Sequence, residues 1–184
     1  RFYYGWWIVF VVALSGIVQS SQGHPTLGAF MKPITEDFGW TRGEYASGMA
    51  IGSLIGGFIA IGIGPLIDRY GPRWILTTAA FIVGGTVVCT SFVTSFWQFF
   101  LLQIFARSIN QGVVSLAMQV IIPKWFVRKR GRAVAFGGIG SAIGNSGTPL
   151  FSQLFISWLG WRHALLILGS SVWGITLLPI WFFL

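Results

Sequence analysis

Six apolar runs divide the chain, near Tyr4–Thr26, Gly43–Leu66, Trp74–Val93, Phe96–Ile122, Ala133–Phe155 and His163–Phe183. Each reaches or exceeds the roughly 20 residues needed to cross a bilayer core of about 30 Å. In lipid such a run must be a helix, because every backbone N–H and C=O needs a partner inside its own segment. A soluble fold is excluded by surface chemistry: only 9% of the 184 residues are charged and 54% are apolar, whereas soluble domains carry about 25% charge. The first run is too long for the apolar part of a signal peptide, and five more follow it. The expectation is an all-α, polytopic membrane protein with six transmembrane helices in one domain over residues 1–184. Its 25 Gly and ten Trp suit that setting, since Gly lets helices approach closely and Trp anchors at interfaces.

The twelve basic residues give the orientation. Arg1, Arg69, Arg73, Lys124, Arg128, Lys129, Arg130 and Arg132 fall on one set of alternate connectors; Lys32, Arg42 and Arg162 fall on the other. The positive-inside rule puts the first set and the amino terminus in the cytoplasm, with an even number of spans. These cations sit in short connectors rather than along one amphipathic face, so the net charge of +8 points to membrane topology and not to nucleic acid. Cys89 is alone and the two His are dispersed, which leaves no disulfide framework, no metal-ligand spacing and no expected cofactor. An echo links "GWTR" (39–42) and "GWRH" (160–163), each just before a helix that starts on the outer side.

Only four acidic residues occur, Glu36, Asp37, Glu44 and Asp68. The first three fall in the outer loop region, where they are expected to be solvated. Asp68 stands in "GPLIDRYGPRWIL" (64–76), between the second and third runs. Gly64 and Pro65 are expected to loosen the end of the second helix, and Gly71-Pro72 to start the third. The spacing G-x-x-x-D-R-x-G-x-R, filled by Gly64, Asp68, Arg69, Gly71 and Arg73, resembles the signature loop of the major facilitator superfamily between helices 2 and 3. "YYGWWIVFVVAL" (3–14), "LGAFMKPITEDFGWTR" (27–42) and "KWFVRKRGRAVAF" (124–136) resemble the superfamily's oxalate/formate antiporter and monocarboxylate porter branch. The resemblance implies a twelve-helix fold of two six-helix halves. This chain would be the amino-terminal half, with a carboxy-terminal half as its missing partner. It also implies that the Asp68–Arg69 loop is a conformational latch; it does not imply that the loop touches substrate.

The candidate binding residues come from polar positions inside the apolar runs. Arg107 lies well within the fourth run, and an arginine at mid-membrane costs at least about 2.5 kcal/mol on insertion scales. Gln103, Arg107, Asn110 and Gln111 fall within an arc of about 100°. Such a stripe suits a watery cavity, where a guanidinium forks onto a carboxylate. The bland alternative is an arginine that binds carbonyls of a neighbouring helix and only holds the bundle. The superfamily's helix-4 pattern R-x-x-Q-G reads here Arg107-Ser-Ile-Asn-Gln111-Gly112, one residue longer. On the first run Ser15, Gln19, Gln22 and Thr26 share an arc of about 60°. On the fifth, Ser141, Asn145, Thr148 and Ser152 do the same. Lone hydroxyls are expected to bond their own helix backbone; the amides Gln19 and Asn145 have more groups to satisfy.

Lys32, in "FMKPITED", resembles a lysine that takes part in proton and substrate binding in monocarboxylate porters; an interfacial lysine extending its amine to water is the other reading. Gly48, Gly52 and Gly56, like Gly137, Gly140, Gly144 and Gly147, read as helix-packing stripes. "GSAIGNSGTP" (140–149) loosely resembles an antiporter motif. The resulting expectation is a secondary transporter of small, monocarboxylate-like organic anions, not an enzyme, in the plasma or inner membrane. A transporter of neutral solutes or drugs, or a non-transporting six-helix scaffold, is the alternative.

Overall fold

The computed structural model describes residues 5–20, 23–125 and 130–177, and every regular element among them is helical. The first apolar run is split in two. Helix α1 (Gly5–Gln19) stops short of Gly23, which is extended (φ −69°, ψ 154°), and α2 (His24–Phe38) begins with a proline in its first turn. Pro25 has no N–H to give a preceding turn, so it is suited to the place where a helix begins. Thr26 Oγ1 ties the two pieces together by donating to the Ser20 carbonyl at 2.7 Å. The first span therefore does not end at Thr26 as expected. It resumes and runs on until Gly39 closes α2 in the left-handed region (φ 70°, ψ 22°).

Helix α3 (Arg42–Tyr70) starts from a reciprocal cap. The Thr41 N–H donates to Glu44 Oε2 at 2.7 Å and the Glu44 N–H donates to Thr41 Oγ1 at 3.2 Å. Glu44 is thus a capping residue and not merely a solvated loop charge. At its other end α3 does not loosen at Gly64-Pro65 but continues through both. The connector to α4 (Pro72–Thr90) is the single residue Gly71, at φ 80° and ψ 153°. One glycine suffices because only glycine adopts that backbone without strain, and Pro72 supplies the first helical φ.

The fourth run is helical throughout but not uniformly α. Helix α5 (Phe96–Ile109) passes into a π-helical segment (Asn110–Val114) and then α6 (Ser115–Trp125). The marker is the Ser115 N–H, which donates to the Asn110 carbonyl five residues back. A π turn is the local form of one added residue in a helix. Helix α7 (Arg130–Val172) holds the fifth run and much of the sixth, with a sharp turn at Gly160 (φ 81°, ψ 162°), and a second π segment, Trp173–Leu177, follows it.

The echoed "GWTR" and "GWRH" have one physical cause. Each Gly takes positive φ and each Trp then packs inward, with Phe38 stacked on Trp40 at 4.4 Å and edge-on to Trp161 at 5.9 Å.

Among the described residues, three stretches are long and apolar enough to cross a membrane on their own: Arg42–Tyr70, Arg73–Thr90 and Phe96–Val120. Helices α1 and α2 have 15 residues each, and the first arm of α7 is diluted by Gly, Ser, Thr and Asn. Large apolar side chains cover the outside, including Leu54, Phe58, Ile61, Trp97, Leu101 and Trp158.

Inside, two apolar clusters occupy opposite ends. One joins Val11, Ile67, Leu76, Ala117 and Ala133; the other joins Phe30, Ile34, Tyr45, Phe99 and Leu168. The buried polar residues Ser20, Gln103, Arg107, Ser108 and Asn110 fall between them along the chain. Two close helix contacts bracket this polar layer. The α3 glycines lie against α5 and the π segment, and Gly16 and Gly140 bring α1 onto α7, where a Cβ at position 140 would run into the Ala13 backbone.

Candidate functional site

A cavity of about 380 Å³ opens between α1, the α5–π segment and α7. It is lined by Gln19, Ser20, Gly23, Arg107, Asn110, Gln111, Ser141 and Asn145. Five of the seven candidate binding residues from the sequence are thus brought to one place. Gln22 lies outside the described residues. Lys32 is elsewhere: it is exposed on α2, with its Nζ 3.9 Å from Glu36 Oε1, and does not line the cavity.

Each lining residue is held by identifiable contacts. Gly52 of α3 lies so close to α5 that a Cβ there would stand 2.7 Å from the Arg107 Cβ. This approach lets Arg107 Nε donate to Ser53 Oγ at 3.1 Å, while the Ser53 hydroxyl donates to the Met49 carbonyl at 2.9 Å. Ser108 locks the same pair of helices by reaching the Gly52 carbonyl at 3.1 Å. Arg107 is 6% exposed, so its charge is offered to the cavity and not to bulk water. Among the described residues no acidic side chain lines the cavity. In such a medium a guanidinium attracts an anion far more strongly than it would in water.

Asn110 connects the π segment to the break in the first span. Its Nδ2 donates to the Gln19 carbonyl at 3.4 Å, one of the acceptors left over where α1 ends. That carbonyl fixes the amide's orientation, since two acceptors cannot face each other. Asn110 Oδ1 then has no partner among the described residues, and neither does Gln103 Oε1. Gln103 belongs to the α3 contact, where Gly48 faces its Cβ, and not to the cavity lining. Most hydroxyls behave as expected and bond their own helix, as Ser20 does to Gly16 and Ser152 to Thr148. Ser53 was not singled out from the sequence. Its signal was its place one residue after Gly52 in the stripe that meets α5.

A second cavity of about 470 Å³ adjoins the first, sharing Gln19 and Ser141. It extends toward the end of the bundle where α6 meets α7 and adds Ser115, Met118 and Gln119 among its walls.

The latch residues surround the one-residue turn at Gly71. Asp68 and Arg69 are exposed on the last turn of α3, Arg69 lies 5.5 Å from the Tyr70 ring, and Arg73 opens α4. Gly64 has open space where a side chain would go, so helix packing does not require it.

The model of the Major Facilitator Superfamily matches residues 4–184. The chain belongs to the major facilitator superfamily. Among its relatives in this superfamily is the probable L-galactonate transporter of Escherichia coli (strain K12), 30% identical over 152 residues, 82% of this chain and 33% of that protein. Human monocarboxylate transporter 2 is 28% identical over 169 residues, 90% of this chain and 35% of the transporter. The probable sulfoacetate transporter SauU of Cupriavidus necator is 26% identical over 177 residues, 96% of the chain and 39% of the relative. The chain therefore spans about a third of the length of these relatives. Superfamily membership and long apolar helices make it an integral membrane protein, among transporter sequences rather than enzymes.

Proposed function

We propose that this chain is the amino-terminal six-helix half of a secondary transporter, and that it carries the anion-binding side of a site for small organic acids. The observation that supports this most is Arg107, buried, oriented by Ser53, and facing a cavity whose other polar walls are amides and hydroxyls. A guanidinium is a planar donor that can fork onto a carboxylate, and Gln19, Gln111 and Asn145 supply neutral donors and acceptors around it. The three relatives named for L-galactonate, monocarboxylates and sulfoacetate are in keeping with an acidic substrate. Transport follows by rocking of two halves about this midplane site. The Asp68–Arg69–Arg73 turn acts as a latch for one of the two faces. Lys32, paired with Glu36 on the surface, takes no part in this site.

Substitution of Arg107 in the product of the complete gene tests the reading. Arg107→Gln should abolish binding of carboxylates while the protein still inserts, and Arg107→Lys should not restore affinity, because an ammonium lacks the planar fork. Carboxylate binding by Arg107→Gln at the parent's affinity would show the site is not built on this residue. Uptake by the parent separates a transporter from a scaffold.

A further inference from the structure

The π segment changes which side chains share Arg107's face. In an uninterrupted α-helix, at about 100° per residue, Ser115 and Gln119 would stand about 80° and 120° round from Arg107. One added residue turns everything after it back by about 100°, which brings both to within about 20° of Arg107. The structure agrees with this arithmetic. Ser115 and Gln119 line the 470 Å³ cavity with Gln19 and Ser141, and those two also line the cavity of Arg107. The π bond itself is present, from the Ser115 N–H to the Asn110 carbonyl. Gln119 Nε2 donates to Ser115 Oγ at 3.4 Å, so the two side chains form one polar patch. Counted along the helix the patch begins about 12 Å beyond Arg107, eight residues on.

We propose that the π turn builds a specificity-determining contact, Ser115 with Gln119, for the hydroxyl-bearing tail of an acid whose carboxylate is held at Arg107. This rests on the anion-site reading above and narrows it to polyhydroxylated acids. The adjoining cavities offer polar groups at intervals, Arg107 at one end, Gln19 and Ser141 between, Ser115 and Gln119 at the other, with Val12, Met118 and Val134 as apolar wall. An extended acid with a hydroxyl on each carbon matches that row. An aliphatic acid of the same length leaves the Gln119 amide and the Ser115 hydroxyl to lose water without replacement, and sites that hydrogen-bond a hydroxyl reject analogues lacking it.

The test compares gluconate and hexanoate, six-carbon acids with and without hydroxyls, for equilibrium binding to the purified product of the complete gene. Gluconate should bind at least about ten-fold tighter. Gln119→Leu should weaken gluconate about five- to ten-fold, the loss of one or two hydrogen bonds, and leave hexanoate within about two-fold. Gln119 is exposed to the cavity and bonds only Ser115 among the described residues, so the fold should survive; a thermal melt of the same sample checks this. Equal binding of the two acids by the parent, no gluconate binding, or equal weakening of both by Gln119→Leu would overturn the inference. Arg107→Gln, measured in parallel, reports on the anion site alone: if gluconate still binds there, that reading fails whatever Gln119 shows.

Discussion

Gly52→Ala is the most demanding probe of how Arg107 is placed. The new Cβ would meet the Arg107 Cβ at 2.7 Å, the Ile104 carbonyl oxygen at 2.9 Å and the Ile104 Cα at 3.1 Å. Carbon atoms pack at about 3.5–4.0 Å, so the shortfall is about 1 Å. None of the three obstacles is a flexible side-chain end, and relief requires α5 to move as a body away from α3. That motion stretches Arg107 Nε to Ser53 Oγ and Ser108 Oγ to the Gly52 carbonyl, both 3.1 Å now, beyond bonding range. Overpacking costs about 1–3 kcal/mol and the two bonds about 1–3 kcal/mol together. The better helix propensity of Ala returns about 1 kcal/mol. The net expectation is a loss of about 1–5 kcal/mol.

Gly57→Ala is the matched control, on the same helix with nothing within 4 Å, and should be neutral or slightly stabilising. Unfolding of both variants in mixed micelles, followed by tryptophan fluorescence, measures the difference. If Gly52→Ala unfolds within about 0.5 kcal/mol of Gly57→Ala, the helix contact does not position Arg107 and the placement argument fails.

Asp68→Asn should lower the transport rate about ten-fold while the dissociation constant for substrate stays within about three-fold, because a latch shifts populations and not contacts at the site. A far larger loss of binding would place Asp68 in the site itself. In a Cys89→Ala background, single cysteines in the 124–132 connector should label only after permeabilisation, given the eight-to-three split of basic residues. Labelling of intact cells there would reverse the topology. Gly160→Ala should cost about 1–3 kcal/mol, since its φ of 81° with ψ of 162° is open essentially to glycine alone; unchanged thermal stability would mean that the kink is not retained.

The helices and the candidate site were legible to different degrees, for reasons that lie in particular residues. Length and apolarity placed the runs, and the 3.6-residue period gathered Gln19, Arg107, Asn110, Gln111 and Asn145, because polar groups in an apolar helix have only an interior cavity to face. Helix ends were read less well. The turn at Gly71 was drawn too wide because glycine and proline in "GPLIDRYGP" read as breakers, whereas an apolar helix tolerates Pro65. The Thr41–Glu44 cap was written in the sequence as T-x-x-E and was overlooked there. Lys32 was assigned by local resemblance, which says nothing about the face of α2 it occupies; the face is set by Phe30 and Ile34, which are buried, and leaves Lys32 and Glu36 outside. Ser53 and Ser115 could not have been ranked from a single helix, since each matters only through a side chain on another turn or another helix.

The two departures from regular α-helix nearest the site, the break after Gln19 and the π segment from Asn110, face the same cavity. In a bilayer this coincidence has a physical cause. A broken turn frees carbonyls, and freed carbonyls are tolerated only where protein or a wet cavity can satisfy them. Here side-chain donors reach the freed carbonyls: Thr26 takes that of Ser20 and Asn110 that of Gln19. The Asn110 amide that serves the break is carried by the π turn. Losing the added residue would rotate Ser115 and Gln119 back to about 80° and 120° from Arg107, out of the wall that the two cavities share. The break and the π turn form one device, in which the irregular backbone of the fourth run supports that of the first, and the shared cavity wall is its product.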